Sequence, residues 1–167
     1  MICKALVQDI PHIKKITEAC AQHMINQRIY QWNKNYPSLE VLTKDVKANN
    51  VYVYLLEEEI VGTVMFSMEM DDFYTEVDWL TPNFKQLYVH RLAVHPTYQG
   101  QGIARVFMDF GEALAKEKEC LSVRLDTFSQ NPRNNRFYQA LQYQQVGEVF
   151  FAQKSEHPFY CYEKVLN

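Results

Sequence analysis

One short stretch of the chain has the residue types that bind an anion. Residues 95–105, with the sequence His-Pro-Thr-Tyr-Gln-Gly-Gln-Gly-Ile-Ala-Arg, contain Gly100 and Gly102. An extended apolar run precedes the stretch and apolar residues recur at helical spacing after it, so we predict a strand, a glycine-rich turn and a helix. Glycines leave the backbone accessible, and the first turn of a helix presents unpaired N–H groups at the positive end of its dipole. This combination favours binding of a phosphate or a diphosphate.

Two common phosphate-binding motifs do not fit this turn. A P-loop ends in Gly-Lys-Ser/Thr, whereas this turn ends in Gly102, Ile103 and Ala104. A dinucleotide fingerprint has a third small residue where this chain has Arg105. The spacing that does fit is Gln-x-x-Gly-x-Ala, which begins at Gln99. It resembles the loop that binds the diphosphate of acyl-CoA in the GNAT superfamily of N-acetyltransferases.

A second pair of polar residues follows the next predicted strand. Asn131 and Tyr138 are seven residues apart on a predicted helix, so their side chains share a face. A parallel strand followed by Asn-x6-Tyr is similar to the pattern of the same superfamily. The superfamily usually has Leu-Gly-Phe or Leu-Gly-Tyr at the end of this helix, where this chain has Gln142 in place of the glycine. A left-handed conformation there would cost about 1 kcal/mol.

The resemblance implies a cosubstrate and a division of roles. Acetyl-CoA would donate the acetyl group, without a metal ion. The residues assigned to CoA binding are Leu92, Ala93, Val94, Gln99, Gly100, Gln101, Gly102, Ile103, Ala104, Arg105 and Asn131. The strand residues among them would pair with the pantetheine arm, and an amide of Leu92 or Ala93 would polarise the thioester carbonyl. Tyr138 would act as the general acid that protonates the leaving thiolate.

An amine nucleophile must also lose a proton, and two residues are candidate bases. His90 is the histidine within the central strand, and an ordinary histidine pKa near 6.5 suits the role. Asp126 ends the following strand, where it could instead pair with Arg124 on the same face. Each candidate residue also has a structural alternative. Tyr138 could be a core tyrosine, Asn131 a helix cap, His90 a structural histidine, Gln99 a polar turn residue and Arg105 an exposed helix residue.

The other elements predict a mixed α/β fold. Strands are predicted at residues 1–7, 51–56, 60–70, 87–94, 121–128, 146–153 and 159–165. Helices are predicted after Asp9, at residues 23–33, after Ser38, after the glycine-rich turn and from Asn131. The helix between 87–94 and 121–128 makes those strands parallel. Residues 57–59 lack the Asn-Gly or Asp-Gly of a tight hairpin. The acidic, aromatic segment 71–83 is predicted to be a loop or a strand extension near the domain edge. Aromatic residues that would line the acceptor side or fill the core are Trp32, Tyr36, Tyr74 and Trp79.

The composition is that of a globular protein. Of the 167 residues, 47% are apolar and 22% are charged. The net charge of −3 argues against a nucleic-acid partner. No apolar run has membrane-spanning length and the N-terminal residues do not resemble a signal peptide, so we expect no membrane partner and a cytoplasmic location. The four scattered cysteines are therefore expected to be reduced.

These observations lead to one main expectation and two alternatives. We expect a single GNAT-type domain over residues 1–167, a mixed twisted sheet of about six or seven strands with helices on both faces. The expected reaction moves an acetyl group from acetyl-CoA to a primary amine of a small molecule or peptide. Direct attack in a ternary complex is expected because no cysteine lies in the loop or on the Asn131 helix. Homodimers are common in the family. The alternatives are a non-catalytic acyl-CoA-binding sensor or regulatory module, and a mononucleotide-binding α/β protein.

Overall fold

The computed structural model describes residues 1–152 and 154–167, which form two compact units. The first unit comprises Met1–Phe66 and His90–Asp109, and the second comprises Ser67–Val89 and Phe110–Asn167. The first is built from β1 (Ile2–Lys4), α1 (Ile10–Asn26), α2 (Leu39–Lys47), β2 (Val51–Leu56) and β3 (Glu59–Ser67). The second is built from β5 (Ser122–Phe128), α4 (Pro132–Ala140), β6 (Gln144–Val149) and β7 (Phe159–Val165). The chain passes from one unit to the other within β4 (Gln86–Val94) and α3 (Ile103–Glu117).

The described strands form a seven-stranded mixed sheet in the order β1-β2-β3-β4-β5-β7-β6. The pairs β1–β2, β2–β3, β5–β7 and β6–β7 are antiparallel. β4 and β5 are parallel, with partners from Gln86↔Ser122 to Tyr88↔Arg124. This pairing confirms the predicted strand–helix–strand unit, and the mixed sheet confirms the predicted fold class.

Strand boundaries differ from the predicted ones by a few residues. β1 ends earlier because Val7 begins a three-residue 3-10 helix, and β3 ends at Ser67 rather than at residue 70. β6 ends at Val149, and the predicted end of this strand, Gln153, lies outside the described residues.

The core of the first unit lies where α1 and α2 meet the first strands. Its buried members are Ala5, Ile10, Ile13, Leu42, Val46, Val51 and Val53. Ser38 caps α2 as predicted, since its Oγ accepts a hydrogen bond from the amide of Val41 at 3.2 Å. Asp9 precedes α1, but its carboxylate accepts from the amide of Leu6 and does not cap α1.

The predicted second helix at residues 23–33 is wrong, because α1 continues unbroken through Asn26. Arg28 then takes a φ of 61°, and the amides of Arg28 and Ile29 bond back to carbonyls of the last turn at 2.9 Å. This is a Schellman motif, which satisfies the last carbonyls of a helix through one left-handed residue. It ends α1 without the glycine or proline that would have marked the end in the sequence.

The same motif ends each of the four described α-helices, always without glycine. The left-handed residues that follow α1 to α4 are Arg28 (φ 61°), Asn49 (φ 58°), Glu119 (φ 56°) and Gln142 (φ 67°). After α4, for example, the amide of Tyr143 bonds back to the carbonyl of Tyr138 at 3.1 Å. Gln142 adopts the left-handed conformation that was considered from the sequence, and its Cβ makes that conformation unfavourable.

Replacing Gln142 by glycine is therefore expected to raise the free energy of unfolding by about 1 kcal/mol, because glycine adopts positive φ without a steric penalty. Urea denaturation would measure the change. The matched control is Arg136→Gly, an exposed position inside α4, where glycine should lower stability by about 1 kcal/mol. A loss of stability in both variants would contradict the explanation.

The turn between β2 and β3 is tighter than its sequence suggested. Leu56 pairs with Glu59, so Glu57 and Glu58 alone form the loop. Their φ angles are 47° and 69°, the pattern of a type I′ turn. Positive φ is unfavourable for glutamate at both positions because of its Cβ, and the pairing of the flanking strands maintains the turn.

A fully buried ion pair joins β5 and β7 in the second unit. Arg124 Nε donates to Glu163 Oε1 at 3.0 Å, and both side chains have 0% exposure. Arg124 thus pairs with Glu163 on the neighbouring strand rather than with Asp126. The 71–83 segment is held by the same pair, since the backbone amide of Leu80 and the hydroxyl of Thr81 donate to Glu163.

Candidate active site

The turn after β4 has the backbone that an anion-binding loop requires. A short 3-10 helix (Pro96–Tyr98) leads into residues 99–102, and α3 begins at Ile103. Gly100 and Gly102 have φ angles of 79° and 83°, which side chains with a Cβ rarely adopt. A Cβ built on either glycine would meet no atom within 4 Å, so the space beside this backbone is open. The first amides of α3 follow directly, as predicted.

The side chain of Gln99 fixes the loop to the end of β4. Its Nε2 donates to the carbonyl of Val94 at 2.9 Å. The same carbonyl accepts from the thiol of Cys20 on α1 at 3.1 Å. Two donors thus occupy the Val94 carbonyl, and the structural role considered for Gln99 is present.

The two longer side chains of the loop region differ in their surroundings. Gln101 Nε2 reaches the carbonyl of Thr97 at 3.5 Å. Arg105 lies in the first turn of α3 with 66% of its side chain exposed, 3.9 Å from Asp109. Such an exposed pair contributes little to stability, so Arg105 remains available to an anionic ligand.

β4 is distorted just before the residues assigned to the pantetheine arm. Arg91 has a φ of 50°, a left-handed conformation inside a strand. Leu92 follows it as a partly buried residue, and Ala93 and Val94 are buried.

His90 lies in β4 in surroundings that disfavour its charged form. Burial, with a smaller contribution from the positive charge of Arg91, lowers the pKa of His90 to about 3. The imidazole is therefore neutral at pH 7, and its low pKa makes it a weak base.

This pKa has a measurable consequence for stability. Between the ordinary pKa of 6.5 and about 3, the unfolded chain binds a proton at His90 that the folded chain does not. Stability should therefore fall as the pH falls through this window, by at most about 1.4 kcal/mol per pH unit from this residue. Urea midpoints at pH 7, 5 and 4 should decline less steeply for His90→Gln than for the wild type. Parallel declines would show that His90 is protonated normally in the folded protein.

In the second unit, Asn131 is the residue immediately before α4. Its side-chain oxygen accepts from the amide of Asn134 at 3.1 Å, which confirms the helix cap. Asn135 Nδ2 donates to the carbonyl of Asn131 at 2.8 Å, and its oxygen accepts from the hydroxyl of Tyr162 at 2.7 Å. The turn from β5 into α4 is thus held by several side-chain hydrogen bonds.

Tyr138 is a buried tyrosine on α4, with 6% exposure. Its ring lies 5.1 Å from that of Phe137 and 6.0 Å from that of Tyr162, measured between centroids. Burial, together with the nearby negative charge of Asp126, raises the pKa of Tyr138. The phenol consequently keeps its proton throughout the physiological pH range, as a general acid must.

Asp126, at the carboxyl-terminal part of β5, is held by a residue from the 71–83 segment. The hydroxyl of Tyr74, a fully buried residue, donates a hydrogen bond to Asp126 Oδ1. Cys161 is opposite Asp126 on β7, and burial raises the pKa of its thiol. A protonated thiol is a poor nucleophile, so these surroundings disfavour nucleophilic attack by Cys161.

The predicted site residues are thus divided between the units. The loop and the end of β4 belong to the first unit, and Asn131, Tyr138 and Asp126 belong to the second. Sequence reasoning missed the partner of Asp126, because Tyr74 is 52 residues away in a segment predicted to be a loop. The one signal was the concentration of aromatic residues in that segment.

The described residues contain neither a membrane-spanning helix nor a cluster of metal-ligating side chains. No helix in this part of the chain is long and apolar enough to cross a membrane. Among the same residues, no group of three or more His, Cys, Asp or Glu side chains is arranged to hold a metal ion.

Comparisons with known proteins agree with this fold. The profile described as "Acetyltransferase (GNAT) family" matches residues 14–143. The uncharacterized N-acetyltransferase YesJ of Bacillus subtilis (strain 168) is 22% identical over 147 residues, covering 87% of this chain and 82% of YesJ. A GNAT family acetyltransferase from Streptococcus agalactiae 2603 has a TM-score of 0.81 at 22% identity, covering 100% of this chain and 95% of that chain. YncA from Salmonella typhimurium, solved with its cofactor acetyl-CoA, has a TM-score of 0.72 at 16% identity, covering 100% and 94%. The chain belongs to the acetyltransferase (GNAT) family.

Proposed function

We propose that this protein transfers an acetyl group from acetyl-CoA to a primary amine, by direct attack in a ternary complex. The backbone of residues 99–105 is the observation that carries the proposal. Two left-handed glycines with open space beside them lead into the amides of a fifteen-residue helix, which suits a diphosphate. YncA, a structural neighbour, was crystallised with acetyl-CoA.

The loop supplies amide donors to the diphosphate of CoA. The proposal assigns this role to the backbone from Gln99 to Ala104, with Arg105 as an additional cation. Asn131 would donate its side-chain amide to the pantetheine while its oxygen caps α4.

The end of β4 binds and polarises the acyl arm. Leu92 and Ala93 would pair with the pantetheine through their backbone. Val94 would contribute its amide alone, because its carbonyl already accepts from Gln99 and Cys20. The amide of Leu92 or Ala93 would donate to the thioester oxygen as negative charge develops there, which lowers the barrier by about 3 kcal/mol.

Tyr138 completes the transfer as the general acid. When bound, acetyl-CoA supplies the thioester whose C–S bond breaks as the amine nitrogen forms its bond to the acyl carbon. Tyr138 donates its phenolic proton to the departing sulfur and then recovers a proton from solvent. The protonated thiol of Cys161 fits direct transfer rather than a cysteine-bound acetyl group.

Two residues are candidates for the base that takes the proton from the amine. His90 is neutral at pH 7 but weakly basic. Asp126 is the alternative base, because its carboxylate lies close enough to Tyr138 for its negative charge to raise the pKa of that residue. An acidic limb of the pH–rate profile that is unchanged in His90→Ala would remove His90 as the base.

An amine panel tests the proposed function. Spermidine, tyramine, kanamycin, lysine and a short peptide with a free N-terminus would be assayed with acetyl-CoA, and released CoA thiol would be measured. Amine-dependent thiol release with at least one member supports the proposal. Tight binding of CoA with no turnover of any amine would support the non-catalytic binding module instead.

The loop assignment predicts the effect of Gly102→Ala. Left-handed alanine costs about 1–2 kcal/mol, so the affinity for CoA should fall about tenfold as the amides lose their alignment. Calorimetric titration with CoA would measure it. The control is Gln101→Ala, which keeps both glycines and should bind CoA about as well as the wild type. Normal binding by Gly102→Ala would contradict the loop assignment.

A further inference from the structure

The strained residue of β4 lies immediately before the amides that the proposed function uses. Arg91 has a φ of 50° and is not a glycine, although a Cβ makes this conformation unfavourable. Such a conformation persists only where the surroundings impose it.

The side chain of Arg91 is anchored to α2. Its Nε donates to Asp45 Oδ2 at 2.8 Å, and its Nη2 lies 2.6 Å from the same oxygen. Its Nη1 is 3.4 Å from the hydroxyl of Tyr36. The side chains of Arg91 and Asp45 are 16% and 8% exposed. Asp45 itself is immobilised because Leu42 and Val46, on the same helix, belong to the core of the first unit.

The other end of the segment is fixed as well. The carbonyl of Val94 accepts from Gln99 and from Cys20, and the amide of His95 donates to the carbonyl of Val61 on β3 at 2.9 Å. The peptide units of Leu92 and Ala93 lie between these two fixed points. Their orientation therefore depends on the conformation of Arg91.

The two members of the ion pair respond differently to burial. Burial raises the pKa of Asp45, and the attraction of Arg91 offsets this only in part. Burial would lower the pKa of Arg91, but the charges and hydrogen bonds of Asp45 and Tyr36 outweigh it and raise this pKa. The loss at the carboxylate thus opposes the gain at the guanidinium. Pairs of this kind are often replaceable by apolar residues without loss of stability.

We propose that the Asp45–Arg91 ion pair is a positioning device, which holds Arg91 left-handed so that the amides of Leu92 and Ala93 face the thioester. This inference rests on the proposed function. Asp45 and Arg91 are positioning residues, since they act through the backbone of β4 and not on the substrates. Their effect belongs in kcat, because the thioester oxygen gains its negative charge as the reaction proceeds.

Two double variants separate this role from a structural one. Asp45→Ala/Arg91→Gly and Asp45→Ala/Arg91→Ala remove the same charges and the same contacts. They differ in the cost of a left-handed residue 91, which glycine adopts readily and alanine does not. The glycine variant should have a kcat about 5- to 30-fold above that of the alanine variant, with similar KM for acetyl-CoA. Both would be assayed with the best amine of the panel, at a temperature where circular dichroism shows both folded.

Each outcome decides one question. A higher kcat in the glycine variant, together with a crystal structure that retains positive φ at residue 91, supports the positioning role. Equal kcat in the two variants, while the wild type is active, overturns this inference and leaves the proposed function intact. A wild type that turns over none of the amines overturns the proposed function, and the inference with it.

Discussion

Replacing Tyr138 by phenylalanine is expected to lower kcat about 10²-fold while leaving the affinity for CoA unchanged. The substitution removes only the phenolic hydroxyl, which carries the proton that the thiolate needs as it departs. The ring remains, so its packing against Phe137 and Tyr162 is retained. Steady-state assays with the best amine of the panel would give kcat, and calorimetric titration with CoA would give the affinity.

Tyr143→Phe is the matched control for that variant. Tyr143 is also buried, and its ring centroid lies 6.2 Å from that of Tyr138. Its hydroxyl donates to Glu112 at 3.2 Å, so the proposed mechanism gives it no role. Its loss should lower stability slightly and leave kcat near that of the wild type. Equal turnover by Tyr138→Phe and the wild type would remove Tyr138 from the mechanism.

Replacing Glu163 by alanine is expected to lower the free energy of unfolding by about 3–5 kcal/mol. The variant leaves the guanidinium of Arg124 fully buried without its counter-charge. It also removes the acceptor for the amide of Leu80 and the hydroxyl of Thr81, so the segment before β4 loses two of its hydrogen bonds. Urea denaturation would measure the loss.

The double variant Glu163→Leu/Arg124→Met is the control, because it removes both charges together. It should recover much of the lost stability.

The pH dependence offers a second check. Burial raises the pKa of Glu163, but hydrogen bonds from Ser122, Thr81 and Arg124 outweigh it, so the net effect is a lowered pKa. The resulting stabilisation is present above the ordinary pKa of 4.5 and is lost as the pH falls below it, and Glu163→Gln should lack this part of the acid sensitivity. A cost below about 1 kcal/mol for Glu163→Ala would contradict the account.

Local features of the structure were predictable from the sequence. The positive φ angles of Gly100 and Gly102 and the cap at Asn131 each depend on a few neighbouring residues. The parallel pairing of β4 with β5 followed from the helix between them. These features include most of the backbone proposed to bind CoA.

Features that depend on distant residues were not predictable. Arg124 was considered as a partner of the nearby Asp126, yet antiparallel pairing with β7 brings Glu163 opposite Arg124. Asp126 is bonded by Tyr74, 52 residues away, and Arg91 by Asp45, 46 residues away.

The length of α1 was underestimated because a Schellman motif centred on arginine carries no glycine signal.

A crystal structure of the protein with coenzyme A tests the central claim most directly. The account predicts that the diphosphate binds the backbone amides of residues 99–104 at the N-terminus of α3. It also predicts that the pantetheine arm lies along Leu92 and Ala93. A diphosphate bound elsewhere, or a loop whose amides are covered by its own side chains in the complex, would contradict the account.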